Sequence, residues 1–155
     1  FEAQYSCLWR YYHYRMRSVR DDGRGLALDR HRVLPLYRDL NVRAMQAAAP
    51  LFEGARDFAA LATHETRSKE REVYLCKLET RERDLTLHIA ANGFLRGMVR
   101  AVVGTLIRVG EGKLQPEDVV GILESKNRSQ AGENVAPHGL YFVKAGYERW
   151  RGDTL

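Results

Sequence analysis

The chain has 155 residues, which suits one domain or one half of a two-domain protein. With 45% hydrophobic residues it is a folded chain with enough length to bury a core, which excludes a disordered or low-complexity protein. Its 25 basic and 20 acidic residues give a net charge of +5, which permits a polyanionic partner, though ordinary solubility charge explains it equally well.

The chain opens at Phe1 with no initiator Met and enters a strand-like run at once, so it reads as a piece of a longer protein. Residues 4–17, "QYSCLWRYYHYRMR", alternate as a strand. Leu8, Arg10, Tyr12, Tyr14 and Met16 fall on one face; Tyr5, Cys7, Trp9, Tyr11 and His13 fall on the other. Aromatics on both faces predict a strand covered on both sides. Residues 18–38 hold Gly23, Gly25, Pro35 and many arginines, and read as an irregular basic connection. Asn41 is placed to cap a helix through "VRAMQAAAPLFEG", with Pro50 ending or kinking it and Gly54 as the stop. "DFAAL" predicts a short second helix, and "THETRSKERE" a polar loop.

Two strands follow, about 72–80 and 85–91, joined by the turn "RERD". A helix over about 94–109 comes next, then a second after Pro116 with acids near its N-terminus. A loop leads to a last strand in "GLYFVKAGY". Hairpin-linked strands with helices between them predict an α+β fold: a mainly antiparallel sheet with helices packed on it.

Cys7 and Cys76 form no Cys-x-x-Cys pair and are too few for a disulfide framework. Both fall in strand-like runs and are expected to be small buried residues of a protein from a reducing compartment. No run of about 18 apolar residues marks a membrane span, and no signal-peptide pattern opens the chain. His13, His31, His64, His88 and His138 are scattered, so no metal site is expected; His88 reads as a half-exposed strand residue. "VGEGKL" fails as a phosphate loop, because Ile107 and Leu114 stand where it needs Gly and Ser or Thr. Its glycines fit a helix C-cap and turn.

The strand "WRYYHYRMR" interleaves rings with arginines, which suits unstacked bases beside phosphates. A strand buried on both faces explains the same rings, and taken alone that is the stronger reading. In "ANGFLRGMVRAVVGTLIRVG", Leu95, Met98, Val99, Val102 and Leu106 form an apolar stripe. Arg96, Arg100, Val103 and Ile107 follow a ridge at its edge. Burying a guanidinium costs several kcal/mol unless it is paired. Arg100 therefore either packs its stem while its head reaches water, or meets a carboxylate.

Several segments together resemble one family. "FEAQYSCLWRYYHYRM" resembles a Phe-x-Ala-x-Phe-Ser-x-x-x-Arg-x-Tyr-x-Tyr strand, and "LNVRAMQAAAPLFEGARDF" a helix and turn ending in Gly-x-His-Asp-Phe. "NGFLRGMVRAVVGTLIRVGEG" resembles a Phe-Leu-x-x-Met-Val-Arg-x-x-x-Gly helix, and "SKNRSQAGENVAPHGLYFVKAGY" an Ala-Gly…Ala-Pro-x-x-Gly-Leu-Tyr ending. The family is that of the TruA-type tRNA pseudouridine synthases, matched in order over nearly the whole chain.

The resemblance implies the pseudouridine synthase fold and isomerisation of uridine to pseudouridine in the anticodon stem-loop of tRNA. It implies no cofactor and no metal, a cytoplasmic setting and a homodimer of two-domain subunits. The target base would be flipped from its stack, which costs a few kcal/mol. A catalytic Asp would then begin the exchange of the N-glycosidic bond for a C–C bond. By the same resemblance Tyr12 is the active-site tyrosine, Arg100 the cation that pairs with the catalytic Asp, and Leu140 an apolar wall of the base pocket. Arg71 is an expected RNA contact, and Arg10, Tyr14 and Arg96 complete the expected substrate-binding set.

The family's Arg-Thr-Asp-x-Gly-Val nucleophile motif occurs nowhere in the chain. Residues 1–155 are therefore expected to be the C-terminal domain alone, inactive without an N-terminal domain that carries the Asp. Arg56 replaces the family's His, Asn41 its Asp at the helix cap, and Phe142 its Leu. Two other classes fit the composition: a noncatalytic RNA-binding module, and a structural protein with a decayed site.

Overall fold

The computed structural model describes residues 7–19 and 31–152. The predicted first strand is β1 (Trp9–Ser18); the part of that expectation at residues 4–6 lies outside the described residues. Trp9 and Tyr11 are buried on one face, and Tyr14 and Met16 on the other, so both faces are covered. One edge of β1 pairs antiparallel with β5 (Asp84–Ala91). The other edge is shared. β6 (Leu140–Gly146) runs antiparallel along Trp9 to Tyr14, and β2 (Leu34–Leu36) runs parallel along Met16 to Ser18. Beyond β5 lie β4 (Glu70–Arg81) and β3 (Gly54–Asp57), each antiparallel to its neighbour. The result is a mainly antiparallel six-stranded sheet, as expected of an α+β fold.

The helices α1 (Val42–Ala48), α2 (Met98–Gly110) and α3 (Asp118–Ser125) share one core with one face of the sheet. Met45, Val102, Leu106 and Leu123 meet Tyr14, Leu87 and Ile89 there. Full burial of such a side chain is worth about 1.5–3 kcal/mol, so this stripe sets where α2 lies and Arg100 must follow. The opposite face carries a smaller cluster of Trp9, Tyr11 and Ala90, closed by Tyr74, Leu75 and Trp150.

Helix ends follow local chemistry. The side chain of Asn41 accepts the Ala44 N–H at 3.1 Å, so Asn caps α1 as its position predicts. Pro50 has no N–H to donate, and the chain passes into a 3-10 turn, Ala49–Phe52. Gly112 takes φ +81° just after α2, in the turn predicted for "VGEGKL".

Several boundaries differ from the sequence reading. Gly54 does not simply stop a helix; at φ +119° it opens β3, a strand too short to show alternation. "DFAAL" makes only a 3-10 turn, Ala59–Leu61. The basic connection contains β2, and residues 20–30 of it lie outside the described residues. α2 begins at Met98, not near Phe94, because Gly97 sits at φ +74° and breaks the helix there. Cys76 is buried in β4 as expected, and its buried thiol is pushed up by desolvation and by the Glu53 carboxylate. Cys7 is only half-buried and precedes β1, because the pairing of that strand starts later than its composition suggests.

Candidate functional site

Register brings the expected residues to one region of the helical face. Tyr12 pairs with Ile89 on β5 and with Phe142 on β6; Tyr14 pairs with Leu87 and Leu140. Tyr12 and Tyr14 are two residues apart on β1 and so share a face. The half-buried Tyr12 ring is held edge-on by Phe94, at 5.0 Å between ring centres, and by Phe142, at 5.5 Å. Phe142 is 57% exposed. The Phe142 ring and the half-buried Tyr12 ring, inclined at 71° to each other, form an aromatic platform that Phe142 opens to solvent. The Tyr12 hydroxyl has no hydrogen-bond partner among the described residues and is available to a ligand.

Tyr14 lies behind this platform. It is fully buried, and its hydroxyl donates to the Ala136 carbonyl at 2.5 Å. Burial raises its pKa to about 12, against the opposing pull of the Arg100 guanidinium nearby. Tyr14 therefore stays neutral and keeps its proton on the Ala136 bond. It supports Tyr12 and Leu140 from within and presents no surface of its own.

Arg100 is the third residue of α2, half-buried, and its Nε donates to the Val135 carbonyl at 2.6 Å. The Val135 N–H returns a longer bond to the Arg100 carbonyl at 3.4 Å. No carboxylate of the described residues pairs with Arg100, and its terminal nitrogens are not among the buried unpartnered atoms. The guanidinium is thus oriented by a carbonyl, with its outer nitrogens open to an acceptor.

The segment that orients Arg100 is strapped to α2. A Cβ on Gly104 would stand 1.8 Å from the Glu133 carbonyl oxygen, and one on Gly132 would stand 2.3 Å from the Gly104 carbonyl carbon. Two glycines let helix and strap touch backbone to backbone. The buried Thr105 locks them: its hydroxyl donates to the Ala101 carbonyl at 2.7 Å and accepts the Gly132 N–H at 2.9 Å. The same strap then carries Ala136 over Tyr14 and leads into Leu140. One stretch of chain thereby fixes Arg100, Tyr14 and Leu140.

Residues 48–148 match the family model described as tRNA pseudouridine synthase. The chain belongs to the tRNA pseudouridine synthase family. It is 41% identical over 151 residues to tRNA pseudouridine synthase A of Thermus thermophilus, covering 95% of this chain and 58% of that protein. It is 37% identical over 152 residues to the protein of that name from Erythrobacter litoralis, covering 96% of this chain and 60% of the relative. Against that of Syntrophomonas wolfei the match is 39% over 120 residues, 76% of this chain and 48% of the relative. The chain spans about six-tenths or less of the length of these relatives.

The remaining expected residues of this family member stand around the platform and do not join it. Arg10 is exposed, two residues along β1 from Tyr12. Arg96 is exposed on the turn before α2. That turn is fixed by Glu65, which accepts the Arg96 N–H at 3.3 Å and is bonded to Arg67. Arg67 holds the Glu65 carboxyl down at about 2. Arg71 lies further off on β4, opposite Arg56. The sequence reading missed Phe94 and Phe142 as ring partners of Tyr12. Phe142 had a readable signal, since it stands two positions from Leu140 on the same strand; Phe94 is brought in by the turn after β5.

Among the described residues, no three His, Cys, Asp or Glu side chains are grouped so as to hold a metal ion. No helix of the described residues is long and apolar enough to cross a membrane.

Proposed function

We propose that this chain supplies one wall of a tRNA-modifying active site that isomerises uridine to pseudouridine in the anticodon stem-loop. The observation that carries this reading is the pairing of an open aromatic platform with an oriented, carboxylate-free guanidinium. A flipped uracil lies against Tyr12 and Phe142, with Leu140 at its edge. Arg100 faces the place where a catalytic carboxylate belongs. Held by Val135, it stabilises that Asp as the ionised nucleophile, and its charge-assisted bond sets the approach of the carboxylate to the ribose. Family membership and the matched segments support the reaction class.

No Arg-Thr-Asp-x-Gly-Val string occurs in the chain, so the Asp comes from another part of the functional protein. The chain alone is then inactive, and turnover needs the portion that the relatives have and the match does not cover. Assembly as a homodimer belongs to the same reading, as does a cytoplasmic setting, with which the two free thiols of Cys7 and Cys76 agree.

The test is a pseudouridine assay on tRNA transcripts with the purified chain. It is repeated after the chain is joined to the unmatched portion of the Thermus thermophilus relative. Product only in the joined protein supports the reading. Product from the chain alone contradicts the missing-Asp account. Salt-dependent tRNA binding with no product from either form favours a noncatalytic RNA-binding module.

A further inference from the structure

Arg56 and Arg71 stand directly opposite each other on β3 and β4. Opposed residues of an antiparallel pair place their side chains on one face, where like charges repel. Neither guanidinium has a carboxylate partner among the described residues. Arg56 donates from Nη2 to the Glu53 carbonyl at 3.1 Å, and Arg71 donates from Nη1 to the carbonyls of Ser68 and Glu70 at 2.8 and 2.6 Å. Among the described residues, the Arg56 Nε is the one buried side-chain nitrogen or oxygen without a hydrogen-bond partner. An orphan donor on a cation is costly unless something else compensates the site.

The two arginines line a cavity of about 360 Å³ together with Ala55, Glu70, Glu72 and Asn92. Glu70 and Glu72 alternate with Arg71 along β4 and make no ion pair with either arginine. The Asn92 side-chain oxygen accepts the Glu72 N–H at 2.9 Å, which leaves the Asn92 amide nitrogen free to donate. Gly93 makes room for this arrangement, since a Cβ there would lie 3.2 Å from the Arg71 Nε. Two residues beyond Asn92 is Phe94, the ring that packs on Tyr12. Asn92, Gly93 and Phe94 thus link the cavity to the platform along the chain.

We propose that Arg56 and Arg71 grip a single backbone phosphate of the RNA strand in this cavity, as a subsite separate from the base cleft. A phosphate removes the repulsion between opposed guanidiniums and takes planar, paired donors from both. The substitution that departs from the family pattern, Arg56, then has a physical role here. The assignment of the anion as RNA backbone rests on the tRNA reading above; the anion site itself does not.

Two measurements test it. The ¹⁵N-labelled chain is titrated with inorganic phosphate against chloride at constant ionic strength, following the Nε–Hε signals of both arginines. Both signals should move together and saturate, and Arg71 should stop responding in Arg56→Gln. Signals that respond equally to chloride overturn the site. Binding of tRNA is then measured against salt for wild type, Arg56→Gln, Arg71→Gln and the double variant. Each single variant should lower the salt slope by about one, and the double should lower it no further, because one phosphate is shared. An unchanged slope with tRNA binding intact sinks the subsite alone; a double variant whose slope falls by about two sinks the shared phosphate. A phosphate response without any tRNA binding sinks the RNA assignment and the proposed function together. Arg56→Lys guards against misfolding: it keeps the charge and should keep the slope while losing the fork.

Discussion

The Arg100 Nε donates to the Val135 carbonyl at 2.6 Å, and no carboxylate of the described residues meets that guanidinium. A cation at the edge of a helix's apolar stripe is thus held in one orientation by the backbone of a neighbouring strap. The ridge it shares with Val103 is buried at Val103, while the outer nitrogens of Arg100 stay open.

The strap depends on Thr105. In Thr105→Val the shape is kept, but the Gly132 N–H is left buried without its acceptor. The expected loss is about 1–3 kcal/mol of stability, read by urea denaturation. Thr105→Ser should restore most of it. A larger loss for Ser than for Val would show that the methyl group, not the hydroxyl, matters.

Gly104 should tolerate even less. A methyl group 1.8 Å from the Glu133 oxygen forces helix and strap apart, so Gly104→Ala should cost about 1–3 kcal/mol or more. Because the displacement carries Val135 with it, the Arg100 Nε–Hε signal should also change in NMR spectra. A variant that melts like wild type would contradict the backbone contact.

The α1 cap gives a smaller effect. Asn41→Ala removes the acceptor of the Ala44 N–H and should cost about 1 kcal/mol in thermal or urea unfolding. Asn41→Asp should hold stability near wild type.

Tyr14 predicts an alkaline dependence. Its folded pKa is raised from 10.0 to about 12 by burial. Between those values the unfolded chain has lost a proton that the folded chain keeps, so stability falls as pH rises through that window and is fully present below it. Tyr11 and Tyr74 are raised too, so the contribution of Tyr14 is read as a difference. Tyr14→Phe should be less stable than wild type at pH 8 and should lose less on going to pH 11. Parallel curves would contradict it.

Sequence pattern revealed the long elements and the residues at their centres. The alternation of β5 and the stripe of α2 follow from burial of one face, and the rings on both faces of β1 from burial of both, which composition records. Asn41 was readable because a cap is a local bond between near neighbours. β2 and β3 were not readable, since three or four residues show no period and are strands only because β1 and β4 offer an edge. The start of α2 was misread because Gly97 breaks the helix for a tertiary reason: a Cβ there would meet the Asn134 side chain at 2.8 Å. For the site, Tyr12, Arg100 and Leu140 came from resemblance to a family and not from periodicity. The bond that orients Arg100 joins residues 35 positions apart, and no local pattern encodes it.

The most direct test of the account removes Arg100 from a working enzyme. The chain is joined to the unmatched portion of the Thermus thermophilus relative, and pseudouridine formation in tRNA is compared for wild type and Arg100→Ala. The account predicts turnover lower by about 100-fold or more, with tRNA affinity nearly unchanged, because the guanidinium acts on the catalytic carboxylate and not on the RNA. Turnover at the wild-type rate in Arg100→Ala would contradict it.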